Sequence, residues 1–381
     1  MAEPFKNLLN TQVVADIGRH LRRASPEFNH KRFKALATAG LDALELKART
    51  QHICQALEAT LPADFAAAAE VMEAALATLD TPLDQTLDGP TGARDDGLAG
   101  WAVWPLTEYV ARHGHTDTPR ALQALHAMTQ RFTAEWAIRP FILRSPELSF
   151  AALHQWASDA SPHVRRLVSE GSRPRLPWGM VLKPLVDDPS PTLPLLRRLM
   201  DDVSPYVRRS VANHLNDIAK DHPHVVEAWL REHLPGSSAH RQALLKHASR
   251  TLIKRGHAGV MGAWGVGERF KGRAAVALSS QRVKVGDSLQ LQINIRSTAK
   301  SAQRLAIDYA VHHVKASGDS SAKVFKGWVL ELAAGEEREL AKKHSLKPIT
   351  TRRYHAGTHR IELLINGKPA AEASFELKVP G

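Results

Sequence analysis

The hydrophobic pattern changes its period once along the chain. Up to about residue 258, apolar positions recur every three to four residues in Ala- and Leu-rich segments, the spacing of amphipathic helices. From Ala274 onward they alternate with polar positions in short runs: VALSSQRVKV, LQLQINI, RLAIDYAVHHV, KVFKGWVLEL, RELAKKHSL, HRIELLI and ASFELKV. Period-two alternation, bounded by Gly, Asp, Asn, Ser or Pro, predicts antiparallel strands. Seven such runs close together predict an immunoglobulin-like β-sandwich. The Cys–Trp–Cys signature of antibody domains is absent, so that likeness is architectural. Between the two textures, Gly256 to Gly272 holds six glycines and reads as a helix end followed by a linker. The expected division is a helical domain over 1–258, a Gly-rich linker over 259–272 and a sandwich over 273–381, a mainly α chain with an all-β C-terminal part.

Helix starts are marked by Thr118-Pro119, Ser145-Pro146, Ser161-Pro162, Ser190-Pro191 and Ser204-Pro205. A Ser or Thr hydroxyl can accept an orphan N–H of the first turn, and proline suits the first helical position. The helical part also repeats. SPHVRRLVSE begins at Ser161 and SPYVRRSVAN at Ser204, an offset of 43 residues that falls in the range of HEAT-like helix pairs. Each is preceded by another helical segment, PELSFAALHQWASD or PTLPLLRRLMDD. The frame extends to TAEWAIRPFI from Thr133 and to SAHRQALLKHASRTLIKRG from Ser238. Stacked helix pairs predict a solenoid with a concave face.

Counted from the start of each second helix at 100° per residue, Glu135, Glu170 and Asp217 fall at about 200°, 180° and 220°. Val207, Val211, Leu215 and Ile218 form the apolar stripe of the Ser204 helix, well away from these acids. Arg209, Asn213 and Lys220 fall beside the acids, and Arg166 takes the place of Arg209 in its own repeat. The expectation is a polar lane, basic and amide-rich, with carboxylates at its centre. Trp136 and Trp178 lie near the acids in sequence, and aromatic faces with carboxylates suit a cation.

Charge narrows the partner. Among 381 residues, 51 are Lys or Arg and 39 are Asp or Glu, a formal net charge of +12. Residues 268–381 alone carry 20 basic against 11 acidic side chains. Such a field favours a polyanion over a neutral partner. One cysteine, Cys54, excludes an intramolecular disulfide and a cysteine-rich zinc site. No apolar run approaches a membrane span and no signal peptide is legible, so a cytoplasmic protein without membrane contact is expected. None of the 20 histidines has convincing metal-ligand spacing, and no metal or other cofactor is called for. His312 and His313 should face opposite sides of a strand.

Three segments resemble the AlkC family of bacterial DNA glycosylases, relatives of the AlkD family: SPHVRRLVSEGSRPRLPW (161–178), SPYVRRSVANHLNDIAKDHP (204–223) and KPITTRRYHAGTHRIELLINGK (347–368). With the order of helical repeats and sandwich, the resemblance covers essentially the whole chain. It implies a monofunctional enzyme, working as a monomer on double-stranded DNA, that excises cationic N-alkylated bases without deep base flipping. The implied substrates are 3-methyladenine, 3-methylcytosine and 1-methyladenine. It implies that Glu135, Glu170 and Asp217 are the active-site acids and Trp178 their aromatic companion. AlkD relatives carry a Trp and an Asp four residues apart; here Pro140 stands four after Trp136, which leaves open which acid is the key one.

The chemistry agrees. A base alkylated on a ring nitrogen is cationic and leaves neutral, so no general acid is needed. Carboxylates would stabilise the positive charge developing on deoxyribose, and one could position the attacking water. Candidate DNA contacts are Trp136, Arg165, Arg166, Arg173, Arg175, Arg208, Arg209 and Asn213 on the helical part. On the sandwich they are Thr351, Arg352 and Arg353, in a turn able to reach phosphates or a groove. The alternative is a non-catalytic HEAT-repeat DNA-binding or scaffold protein.

Overall fold

The structure is a computed structural model that describes residues 5–79, 94–349 and 353–379. It divides into two compact units, one of residues up to Asp221 with Ser238–Ala248, the other of His222–Ser237 with Ser249 onward.

The first unit is helical. It opens with α1 (Thr11–Ala24), α2 (His30–Thr38), α3 (Leu46–Glu58), α4 (Phe65–Ala74), α5 (Trp104–His113) and α6 (Thr118–Thr129). It continues through α7 (Arg139–Arg144), α8 (Pro146–Trp156), α9 (Pro162–Gly171), α10 (Lys183–Asp187), α11 (Leu193–Leu199) and α12 (Pro205–Asp221). The 43-residue repeat is real in space: α8 and α9 pair, α11 and α12 pair, and α9 packs on α12. The stripe read from the period is the buried one, with Val207, Val211 and Leu215 at 0% exposure and Ile218 at 1%.

Proline stands at the first position of α8 and α9 as expected, but the hydroxyls of Ser145 and Ser161 cap nothing. Carboxylates instead fix the turns that lead into α9 and α12. Asp159 accepts the Ser161 N–H at 2.7 Å and Asp202 the Ser204 N–H at 2.8 Å. Thr118 lies inside α6, whose cap is Asp117, accepting from the Arg120 N–H at 3.1 Å. An ionised acceptor makes the stronger bond. TAEWAIRPFI is the larger departure. Residues 133–134 are irregular, 135–138 form a turn and α7 starts only at Arg139, so a helical angle does not apply to Glu135.

The second unit holds α13 (Pro223–His233), α15 (Arg250–Lys254), α16 (Ala258–Ala263) and eight strands, while α14 (Ala239–Ala248) belongs to the first. Helix α16 occupies the start of the stretch expected as linker, beginning one residue before it. The strands are β1 (Gly272–Leu278), β2 (Arg282–Lys284), β3 (Ser288–Ser297), β4 (Gln303–Val314), β5 (Ser320–Leu332), β6 (Glu337–Ser345), β7 (Gly357–Ile365) and β8 (Lys368–Lys378). The run VALSSQRVKV breaks at its two serines and supplies strands to both sheets, β1-β3-β6 and β2-β8-β7-β4-β5. Inward residues of the two sheets meet: Ile293 and Ile295 of β3 cluster with Leu305, Ile307, Leu363 and Ile365. Asn366 and Gly367, both at positive φ, make the two-residue turn between β7 and β8 that matches strand twist. Gly367 lies so close to Gly256 that a side-chain carbon on Gly256 would sit 2.7 Å from the Gly367 carbonyl oxygen. That contact anchors the chain after α15 to the sandwich.

Candidate active site

Three elements bring the predicted acids together. Glu135 sits in the turn before α7, Glu170 on the last turn of α9 and Asp217 near the end of α12. They do not line an open lane. Their exposures are 7%, 5% and 1%, and they are joined by arginines into one buried chain of charges. Arg166 bonds Glu135 Oε2 and the Thr133 hydroxyl, the latter at 2.8 Å, and its other nitrogen lies 3.6 Å from Glu170 Oε1. Arg173 donates to Glu170 Oε1 at 2.5 Å and to Asp217 Oδ2 at 2.8 Å. Ser210 donates to Glu170 Oε2 at 2.6 Å, and Lys220 to Asp217 Oδ1 at 2.8 Å. The Thr133 hydroxyl donates to Glu135 Oε2 at 2.8 Å. Acids and cations balance, which is why so many charges survive away from water. Among the described residues only Glu135 Oε1 of the six carboxylate oxygens carries no such bond.

The electrostatics favour the ionised form of Glu170. Burial alone would raise the Glu170 carboxyl, but Arg166, Arg173 and the Ser210 hydroxyl outweigh it, so it sits below the usual carboxylate range. Arg166 feels burial first and is nonetheless raised by Glu135 and Glu170. Its guanidinium also lies 5.2 Å from the centre of the Tyr206 ring, a cation–π contact, and burial pushes the Tyr206 hydroxyl up to about 12.

Sequence-based expectation and structure part at the arginines. Arg166 and Arg173 are buried and spent on the acids. Arg165 bonds both Asp202 oxygens, at 2.6 and 2.9 Å, and the carbonyls of Asp159 and Ala160. Arg208, its repeat mate, bonds the carbonyls of Asp202 and Val203. These two lock the turns before α9 and α12. Arg175 is paired with Asp221 at 2.8 and 2.9 Å, and Asn213 bonds His247 at 2.9 Å. Arg209 is exposed, so it is not the equivalent of the buried Arg166. On the sandwich, Arg353 is exposed beside buried Tyr354, whose ring packs on His313 at 5.7 Å; Thr351 and Arg352 lie outside the described residues. His313 is buried and His312 bonds Glu362 at 3.2 Å, on opposite strand faces as expected.

Trp178 is 66% exposed and has a φ of +62°, a backbone conformation that costs a non-glycine residue free energy and signals a function or a constraint. The constraint comes from Arg139, which the sequence reading passed over. Fully buried, it donates to Met180 O at 2.8 and 2.6 Å, Gly171 O at 2.8 Å, Arg173 O at 2.7 Å and Pro174 O at 3.4 Å. One guanidinium thus ties down the loop that runs from Glu170 past Arg173 to Trp178. Its only signal in sequence is an arginine inside the apolar run AIRPFI. Trp136 stacks on Trp104 at 4.6 Å and donates its indole N–H to Pro177 O at 3.3 Å. These rings and Trp178 help line an open cleft of about 740 Å³. Among the described residues no group of three or more His, Cys, Asp or Glu is arranged to hold a metal ion.

His214, on α12 between the acids, was also missed. It is fully buried, with Nδ1 2.8 Å from the Ser169 carbonyl oxygen, and burial pulls its imidazole down to about 4. As pH falls from about 6.5 towards 4, the unfolded chain takes up a proton that the folded chain refuses, and stability drops by up to about 3 kcal/mol. His214→Asn keeps a donor for Ser169 and does not titrate. Its melting temperature is expected to fall less steeply than wild type across that pH window; an unchanged slope would clear His214 of the acid lability.

A solved structure of Pseudomonas fluorescens alkylpurine DNA glycosylase AlkC, bound to DNA containing an abasic site analog, superposes with a TM-score of 0.85 at 32% identity, covering 99% of this chain and 100% of that one. Bacillus subtilis (strain 168) protein YhaZ is 34% identical over 98% of this chain and 99% of its own. The chain belongs to the AlkC family. The family model described as the C-terminal Ig-like domain of YhaZ matches residues 273–379, the region of all eight strands bar the first residue of β1. AlkC membership accords with the helical region followed by a sandwich.

Proposed function

We propose that the protein is a DNA glycosylase that releases cationic N-alkylated bases, 3-methyladenine and 3-methylcytosine with 1-methyladenine beside them, from double-stranded DNA as a monomer. The observation that carries the reading is the linked set Glu135, Glu170 and Asp217, in a chain whose full-length likeness is to a glycosylase held on DNA. A cationic base departs neutral, and the enzyme must stabilise what remains, positive charge on the sugar. Fixed carboxylates in a water-poor setting do this without reorganising. Lys220 is the exposed cation of the set. If a DNA phosphate draws it away, Asp217 gains a free oxygen and the site a net negative charge when the sugar needs it. In this reading Glu135 Oε1, which carries no other bond among the described residues, holds the attacking water. Trp178 packs on sugar or lesion, and the helix pairs serve as a HEAT-like cradle for bent DNA.

The test is base release from DNA carrying 3-methyladenine or 3-methylcytosine. Release by wild type, lost in Glu135→Gln, Glu170→Gln or Asp217→Asn variants that still fold and bind DNA, is the expected result. No release from either lesion, with salt-sensitive DNA binding intact, would leave a non-catalytic DNA-binding protein. Binding through the sandwich gives a second expectation. Arg353→Ala should weaken DNA affinity for lesion and undamaged duplex alike, and lower the slope of log affinity against log salt by about 1, measured by fluorescence anisotropy. An unchanged slope would remove Arg353 from the phosphate contacts.

A further inference from the structure

The cleft beside Trp178 enters the mechanism above only through that ring, and its remaining lining is chemically specific. We propose that it is a binding site for a free alkylated nucleobase, the leaving group of the reaction; the proposal rests on the glycosylase reading.

Its walls are indoles. Trp104 and Trp136 form one stack, and Trp178 stands exposed on the cleft. An exposed Trp at positive φ persists only where its surroundings hold it, and here Arg139 and the loop carbonyls do so. The ring is therefore presented to the cleft instead of collapsing into the core. Planar heteroaromatic ligands gain most from such faces, whether or not they carry charge. At about 740 Å³ the space admits a purine with room for water.

The polar rim selects further. Glu45 and Glu108 contribute carboxylates to the lining and Lys47 and Arg112 cations, so the rim is balanced in charge, with acceptors for the ring N–H groups and exocyclic amine of a neutral base. Glu45 is itself paired with Lys6 at 2.9 Å, and Arg112 is shared between Glu58 and Glu108 at 3.1 Å each. Gln51, whose amide bonds nothing among the described residues, offers a donor and an acceptor to a base edge. Position agrees with chemistry. Trp136 directly follows Glu135, and Trp178 closes the loop that begins at Glu170. A base freed at the acids meets the indoles next.

The source of the base, free in solution or still joined to DNA, is separable by experiment. Free 3-methyladenine is titrated into the full chain while tryptophan fluorescence is read, and base release from alkylated DNA is measured in parallel. Saturable quenching is expected in wild type. Ala111→Phe, which places a ring in the cleft from α5, and Gln51→Leu, which removes the amide, should each weaken it by at least about 10-fold. Product inhibition of base release should be relieved in both. A single-turnover rate unchanged in the two variants marks entry after excision, as proposed; a slowed rate marks entry while the base is still attached, which overturns the free-base assignment. Absence of saturable quenching in folded wild type, or equal quenching in wild type and both variants, overturns the cleft proposal while base release still stands. Absence of base release from any lesion overturns the glycosylase reading, whatever the titration gives.

Discussion

Glu170→Gln is expected to slow base release by about 100- to 1000-fold, the range seen when one preorganised electrostatic stabiliser is removed. Glu170 is where the two halves of the charge chain meet. Arg166 reaches it from the side of Glu135 and Arg173 from the side of Asp217. Glutamine preserves its size and can still bond Ser210, but it leaves the set with one positive charge in excess. That surplus opposes the charge that develops on deoxyribose, so the loss falls on the chemical step. DNA affinity should stay close to wild type, and the single-turnover rate should carry the effect. The same uncompensated charge costs stability, about 3 kcal/mol for a broken buried pair. Its pH behaviour follows from the lowered carboxyl of Glu170. The stability it contributes is present above about 4.3, the unfolded value, and is lost as pH falls through its lower native value. Wild type should therefore show an acid limb below that of an ordinary carboxylate, and Glu170→Gln should lack it. A variant with wild-type rate would show that the acid chain holds the fold together and nothing more. Ser210→Ala, which deletes one hydrogen bond and no charge, serves as the mild comparison.

Much of this architecture is legible in residue spacing. The period of Val207, Val211, Leu215 and Ile218 marks a buried stripe, and alternation in LQLQINI and HRIELLI marks strands whose inward faces meet. Both are local patterns that repeat over several residues. The site is different, because its partners are far apart in sequence. Arg173 touches Glu170 three residues back and Asp217 44 residues ahead, and no local pattern distinguishes that arginine from a phosphate contact. The helical wheel placed Glu170 and Asp217 on one side correctly but read that side as solvated. It carried Glu135 along although its segment is a turn; Glu135 reaches the set because Thr133 and Arg166 hold it. Trp104 is buried at 5% exposure, yet it lines the cleft together with Trp136.

Arg139 carries the second large expectation. Replacing it with methionine should lower stability by at least about 3 kcal/mol, since the carbonyls of Gly171, Arg173, Pro174 and Met180 lose a shared donor and each buried unmet acceptor costs about 1–3 kcal/mol. Arg139→Lys is the more informative change. Lysine has one nitrogen where arginine has a planar fork, so it cannot serve four carbonyls at once. Burial first, then the neighbouring Arg173, pulls the arginine down to about 10, which leaves it charged at neutral pH. The same burial acting on a lysine would pull it down as well and favour its neutral form. The loop from Gly171 to Met180 would then lose the tether that positions Arg173 against Glu170 and Asp217 and holds Trp178 at positive φ. Base release is expected to fall by more than about 10-fold with the fold retained, and limited proteolysis should open the loop near Trp178. Full activity in Arg139→Lys, with the loop still protected, would show that the loop's own packing is enough, and the case for Arg139 as the residue that positions the site would fail.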